Sequence, residues 1–141
     1  MKKSFLILFT LCAVFSCSKD NSFNIDKYPQ KWTLVKMTGQ IPNSERTGEN
    51  MGWQEYYLLK SDGTFIKHRE RDGINYDVSG NFKFLSTTSV TLLELTHETE
   101  NAIIGNCYSH QTEQLSLKSA NKLVGTWQMC DGPGLEYERK E

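Results

Sequence analysis

Two Asp-Gly pairs, Asp62-Gly63 and Asp72-Gly73, frame the most constraining stretch of this chain. Asp-Gly tolerates the positive φ that tight hairpins demand, so each pair predicts a sharp reversal between strands. Beyond the second pair the residues alternate cleanly. Tyr76, Val78, Phe82 and Phe84 fall in one phase, and Asp77, Ser79, Asn81 and Lys83 in the other. A period of two with one apolar set means one buried face and one wet face, the pattern of an antiparallel sheet. Gly80 sits in the apolar phase, where a missing side chain predicts a sharp bend or a bulge.

The rest of the chain repeats this grammar. Short aromatic and β-branched runs are broken by turn residues at intervals of about ten, with no convincing helical stripe. The expected strands are Lys31 to Thr38, Trp53 to Lys60, Thr64 to Arg71, the alternating run through Phe84, Ser89 to Thr96, Ser109 to Lys118, Lys122 to Met129, and Leu135 to Lys140. In the fifth, Val90 and Leu92 are out of phase with Leu93 and Leu95, which predicts a bulge or burial on both sides. Two joints are long, Gly39 to Gly52 and His97 to Asn106; the others are tight. Eight antiparallel strands joined in order leave two exposed edges unless they close, so the fold class is all-β, an eight-stranded up-and-down barrel.

The N-terminus is of another kind. Lys2 and Lys3 lead into an apolar run from Phe5 to Phe15, then Ser16 and Cys17. That run is about 11 residues, short of the roughly 20 that a spanning helix needs, and it reads as an export leader. The stretch Val14-Phe15-Ser16-Cys17 resembles the lipobox of bacterial lipoproteins. The resemblance implies removal of residues 1–16 and lipidation of Cys17, with palmitate-type acyl chains holding the protein to a membrane. Residues 17–28 are then the lipidated cysteine and a polar tether, and residues 29–141 one barrel domain. Ser18 after the cysteine is similar to lipoproteins forwarded to the outer membrane, facing periplasm or exterior.

Losing Lys2 and Lys3 with the leader takes the net charge from −1 to −3. No basic patch suggests nucleic acid, and after the leader no apolar run is long enough to span a bilayer. Cys12 leaves with the leader, so Cys107 and Cys130 remain as an even pair in an oxidising setting, where a disulfide is the default. Their midpoint falls close to the Ser119-Ala120-Asn121 turn, so a bridge would clamp the open end of one hairpin. The competing metal reading has only Cys107 and His110 at ligand spacing. No metal and no cofactor is expected.

Three segments carry a wider resemblance: Trp32-Thr33-Leu34-Val35, Leu59-Lys60-Ser61-Asp62-Gly63-Thr64-Phe65, and Leu135-Glu136-Tyr137-Glu138-Arg139-Lys140. Together they resemble the lipocalin-like domains of bacterial lipoproteins, within the calycin group. That resemblance implies an eight-stranded barrel, often with an internal cavity for a small apolar ligand. It also implies that a basic residue of the last strand packs over a tryptophan of the first, which puts Trp32 and Arg139 together at the closed base.

If the apolar phase of the fourth strand faces inward, Tyr76, Val78, Phe82 and Phe84 line the lumen, joined by Trp53, Tyr57 and Trp127. A barrel of this size is either filled by its side chains or leaves room for one small ligand, and both readings stand. Chemistry has little footing. His68 and Glu70 share a strand face, as an acid–base pair or as solvent-facing charges, and His97-Glu98-Thr99-Glu100 is not a metalloprotease motif. Arg69-Glu70-Arg71-Asp72 reads as a wet hairpin tip, and an enzyme is not expected. Two functional readings follow. One is a lipid-anchored envelope lipoprotein that binds a small hydrophobic ligand in its barrel. The other is a protein-interaction or inhibitor module with a filled barrel, acting through its loops.

Overall fold

The computed structural model describes residues 27–108 and 110–140; the leader and Cys17 lie outside the described residues. The strands are β1 (Gln30–Thr38), β2 (Arg46–Thr47), β3 (Gln54–Leu59), β4 (Thr64–Arg71), β5 (Ile74–Ser86), β6 (Thr91–His97), β7 (Thr112–Ser119), β8 (Lys122–Gly125) and β9 (Gly134–Lys140). From β3 to β9 each strand pairs antiparallel with the next, and β1 pairs with both β3 and β9. The β1–β9 ladder runs from Lys31↔Lys140 to Thr38↔Gly134 and closes an eight-stranded barrel. The two-residue β2 lies along the far end of β1, opposite Lys36 and Met37.

The Asp72-Gly73 turn is a two-residue hairpin between the paired Arg71 and Ile74, with φ of 54° and 76°. Both central residues are thus left-handed, the requirement that Asp-Gly meets. In the β3–β4 turn the Asp62 carboxylate accepts from the Thr64 amide at 3.0 Å and from its hydroxyl at 2.6 Å.

Two local expectations need correction, and a third settles on one of its alternatives. Gly80 causes no bulge, since the register runs unbroken through Phe65↔Gly80 and Gly80↔His97. It is a close approach instead: a Cβ there would sit 2.0 Å from the Thr96 carbonyl oxygen and 2.8 Å from the Phe65 ring. In β6 the register is unbroken and burial on both sides holds instead of a bulge, with Leu93 and Leu95 buried in the lumen and Leu92 half-buried on the outer wall. The register shifts fall at Val35 in β1 and Lys118 in β7. Finally, the strand expected to reach Met129 stops at Gly125 and gives way to a 3-10 turn, Trp127–Cys130.

The two ends of the barrel differ. The base carries the short turns 60–63, 87–90 and 120–121 together with Lys27, whose carbonyl accepts from Arg139 Nη2 at 2.8 Å. Tyr28 packs on Phe82 there, ring centroids 5.8 Å apart. The opposite end carries the hairpin 72–73 and the longer segments 39–53, 98–111 and 126–133. Between the ends, Trp32, Tyr57, Leu59, Phe65, Leu93 and Tyr137 are wholly buried.

Candidate functional site

Toward the loop-bearing end, charged residues take over the luminal phase of four strands. Glu55 on β3, Lys67 and Arg69 on β4, His97 on β6 and Glu113 on β7 are each at most 5% exposed. Arg69 is therefore not part of a wet tip, although Glu70, Arg71 and Asp72 are exposed. It shares the phase of Phe65 and Lys67, and strand periodicity carries it inward.

Glu113 is the hub. It accepts from Lys67 Nζ at 2.9 and 3.0 Å, the Tyr57 hydroxyl at 2.9 Å, the Gly105 amide at 3.1 Å and His97 Nε2 at 3.2 Å. An ionised carboxylate only accepts, so His97 carries its proton on Nε2; its Nδ1 is buried without a partner. Glu55 is the second acid. It pairs with Arg69 Nε, accepts from the Tyr137 hydroxyl, and lies 3.5 Å from Lys67 Nζ. Two acids and two bases balance, which is what allows ions to persist out of water. Burial works to raise the Glu113 carboxyl pKa, but the Lys67 ammonium, the His97 hydrogen bond and the Lys67 hydrogen bond outweigh it and hold the group at about 2. The Tyr57 and Tyr137 phenols move well above their ordinary value, first through burial and then through the charges of Glu113 and Glu55.

The network fastens a loop. The Ile103 carbonyl accepts from Lys67 Nζ at 2.7 Å and Arg69 Nη2 at 3.2 Å, and the Ile103 side chain is 4% exposed. The segment 98–111 is thereby drawn into the barrel mouth. Its far side is tied by the Cys107–Cys130 disulfide to the 3-10 turn, beyond the ends of β7 and β8. Gln40 Nε2 donates to the Gly132 carbonyl at 2.6 Å, linking the third long segment.

The residues expected to line a lumen divide. Tyr57 is wholly buried, with its hydroxyl on Glu113. Tyr76, Val78, Phe82 and Phe84 stand opposite Arg69, Lys67, Leu95 and Leu93 in register, which places them on the luminal face. Tyr76 reaches the rim, 43% exposed, while Phe82 and Phe84 meet edge to face, ring centroids 6.1 Å apart, and pack half-buried against the core. Trp53 lies under the Arg69 guanidinium, 4.3 Å from the ring centre. Trp127 comes from the 3-10 turn and packs against the core from there. Trp32 and Arg139 are direct partners in the β1–β9 ladder, and the buried Trp32 Nε1 donates to Gln30 at 3.1 Å.

On the outer wall His68 Nδ1 lies 2.8 Å from Asp77 and its ring stacks on Tyr56, so its charged partner is Asp77 rather than Glu70. Among the described residues no three His, Cys, Asp or Glu side chains are grouped to hold a metal. The five luminal ionisable residues escaped the sequence reading. Their signal was phase: Glu55 keeps step with Tyr57 and Leu59, Lys67 and Arg69 with Phe65, His97 with Leu93 and Leu95, and Glu113 with Leu115.

No protein-family model, curated protein or solved structure matches the chain.

Proposed function

We propose that this protein is an exported, lipid-anchored barrel of the lipocalin-like kind that serves as a protein-interaction module of the cell envelope, acting through its loop-bearing end. The supporting observation is the buried Glu55–Lys67–Arg69–Glu113 network, which occupies the lumen beneath the loops and holds Ile103 across the mouth. A lumen packed with balanced charge and rings suits a rigid platform better than an apolar carrier. Ile41 and Tyr108, on two of the tied segments, are 72% and 75% exposed, and large exposed apolar side chains on a fixed frame suit a partner surface. Lys27 lies at the opposite end, so an acyl anchor on Cys17 directs the loops away from the bilayer.

The test is site-specific photocrosslinking in the native envelope. A crosslinker at Ile41 or Tyr108 is expected to trap a discrete protein, and one at Lys60 or Asn121 on the base is not. A small molecule co-purifying in the barrel by native mass spectrometry, with no crosslink from the loops, overturns the reading in favour of a carrier.

A further inference from the structure

The outer wall carries a groove, apart from the luminal network, that runs from the 126–133 segment down over β6, β7 and β8. Leu92, Ser116 and Val124 form one cross-strand row over β6, β7 and β8. Around them lies a groove of about 490 Å³, with Gly125, Thr126, Gln128 and Met129 at its upper end and Lys118 at its lower end. That volume falls among those of small-molecule sites, roughly 300–1,000 Å³. Met129 is 85% exposed, an unbranched and adaptable side chain at the groove's edge. A second groove of about 460 Å³ shares Ser116 and Lys118 and continues past the hydroxyls of Thr87, Thr88, Ser89 and Thr91. The joined surface is apolar along one arm and hydroxyl-rich along the other.

Two polar groups stand at the junction. Ser116 is 8% exposed, and its Oγ is buried without a hydrogen-bond partner. Buried hydroxyls are normally satisfied, so an unsatisfied one on a groove floor points to a missing partner. Lys118 occupies the register shift of the β7–β8 ladder, a place where the backbone re-aims a side chain. Among the described residues it has no ion-pair partner, whereas its neighbour Lys122 is paired with Glu136.

We infer that this groove binds a single-chain anionic amphiphile, a free long-chain carboxylate, with its alkyl chain over Leu92, Val124 and Met129 and its head at Ser116 and Lys118. The strand amides beneath are engaged in the β6–β7–β8 ladders. The apolar arm therefore suits an occupant without polar groups of its own, unlike a peptide backbone that brings an amide at every residue. Lys118 selects the sign of the head, and the hydroxyl arm accommodates its water shell. The inference is independent of the loop-end reading.

The experiment titrates dodecanoate, below its micellar concentration, into the exported chain carrying Cys17→Ser, so that no attached acyl group competes. Shifts of the Met129 methyl and of the Leu92, Ser116 and Val124 amides are expected to saturate together, while Tyr57 and Leu93 stay still. Lys118→Glu, at an exposed site, is expected to weaken binding at least about five-fold without altering the unfolding midpoint. Dodecyltrimethylammonium is expected to bind more weakly than dodecanoate. Shifts centred on luminal residues, equal binding of the cationic amphiphile, no effect of Lys118→Glu, or no saturable shift would each overturn the assignment.

Discussion

Lys67 and Glu113 meet across the lumen from β4 and β7, Nζ lying 2.9 and 3.0 Å from the two carboxylate oxygens, with both side chains out of water. A buried pair of this kind is weak evidence of net stabilisation, yet removing one partner strands the other in a low dielectric. Lys67→Met therefore costs about 3–5 kcal/mol near neutral pH, because Glu113 and Glu55 lose their shared cation and Ile103 loses a donor. The check is the urea midpoint of the variant against the parent. Lowering the pH is expected to narrow the gap, since a protonated Glu113 no longer needs the ammonium.

Acid should act on the parent through the same carboxylate. Glu113 is held at about 2 in the fold, against an ordinary value of 4.5. A depressed carboxylate contributes stability that is whole above the unfolded value and disappears as pH falls through the folded one. The predicted loss is roughly 3 kcal/mol, spread between about pH 5 and pH 2. Unfolding free energies measured across that window should show the slope in the parent. Glu113→Gln should flatten it, leaving the shallower contributions of surface carboxylates: Glu136, which burial raises but Lys122 and Lys36 hold low, Glu94 beside Lys83 and Gln114, and Asp62 hydrogen-bonded to Thr64. A slope unchanged in Glu113→Gln would mean that other carboxylates carry the acid response.

How much of this was legible beforehand follows from what local patterning encodes. Alternation and Asp-Gly turns carry strand order and register because both act within a few residues, and β4 falls where the sequence places it, Thr64–Arg71. The luminal charges do not announce themselves in that way. Arg69 beside Glu70 and Arg71 looks like a wet tip until its phase is compared with that of Phe65. Its acid, Glu55, also serves Tyr137, 82 positions away. Glu55 and Arg69 are register partners across one hairpin, but Lys67 and Glu113 meet from β4 and β7, which are not neighbours, and a window that sees one strand at a time shows neither pairing. The early end of β8 has a similar cause. Trp127 packs on the core from a 3-10 turn, and Cys130 reaches back to Cys107, so tertiary contacts override a run that reads as extended.

The disulfide and the luminal network restrain the same loop from two sides, and they can be separated. Cys107 and Cys130 are 23 positions apart, a closure worth about 3 kcal/mol in the chain-entropy model. Replacing both by serine should lower stability by about that amount. Hydrogen exchange should quicken at residues 106–110 and 127–131, while the Gly105 amide on Glu113 stays protected. Loss of protection at Gly105 to the same degree would show that the bridge, not the ion network, seats the loop.

Gly80 offers the sharpest test of packing, because its constraint is backbone against backbone. A methyl group there would lie 2.0 Å from the Thr96 carbonyl oxygen and 2.9 Å from His97 Cα, and neither belongs to a flexible side chain that can swing aside. Gly80→Ala must spread the β5–β6 ladder or displace the Phe65 ring, which itself packs edge-on against His97 at 5.0 Å. Overpacking usually costs about 1–3 kcal/mol, and a rigid neighbour places this variant at or above the top of that range. Gly73→Ala is the matched control, since nothing lies within 4 Å of its added Cβ and the only penalty is its φ of +76°. That penalty is about 1 kcal/mol. Thermal unfolding of the two variants should therefore rank Gly80→Ala well below Gly73→Ala, and the reverse order would mean that β6 moves away from β5 at little cost.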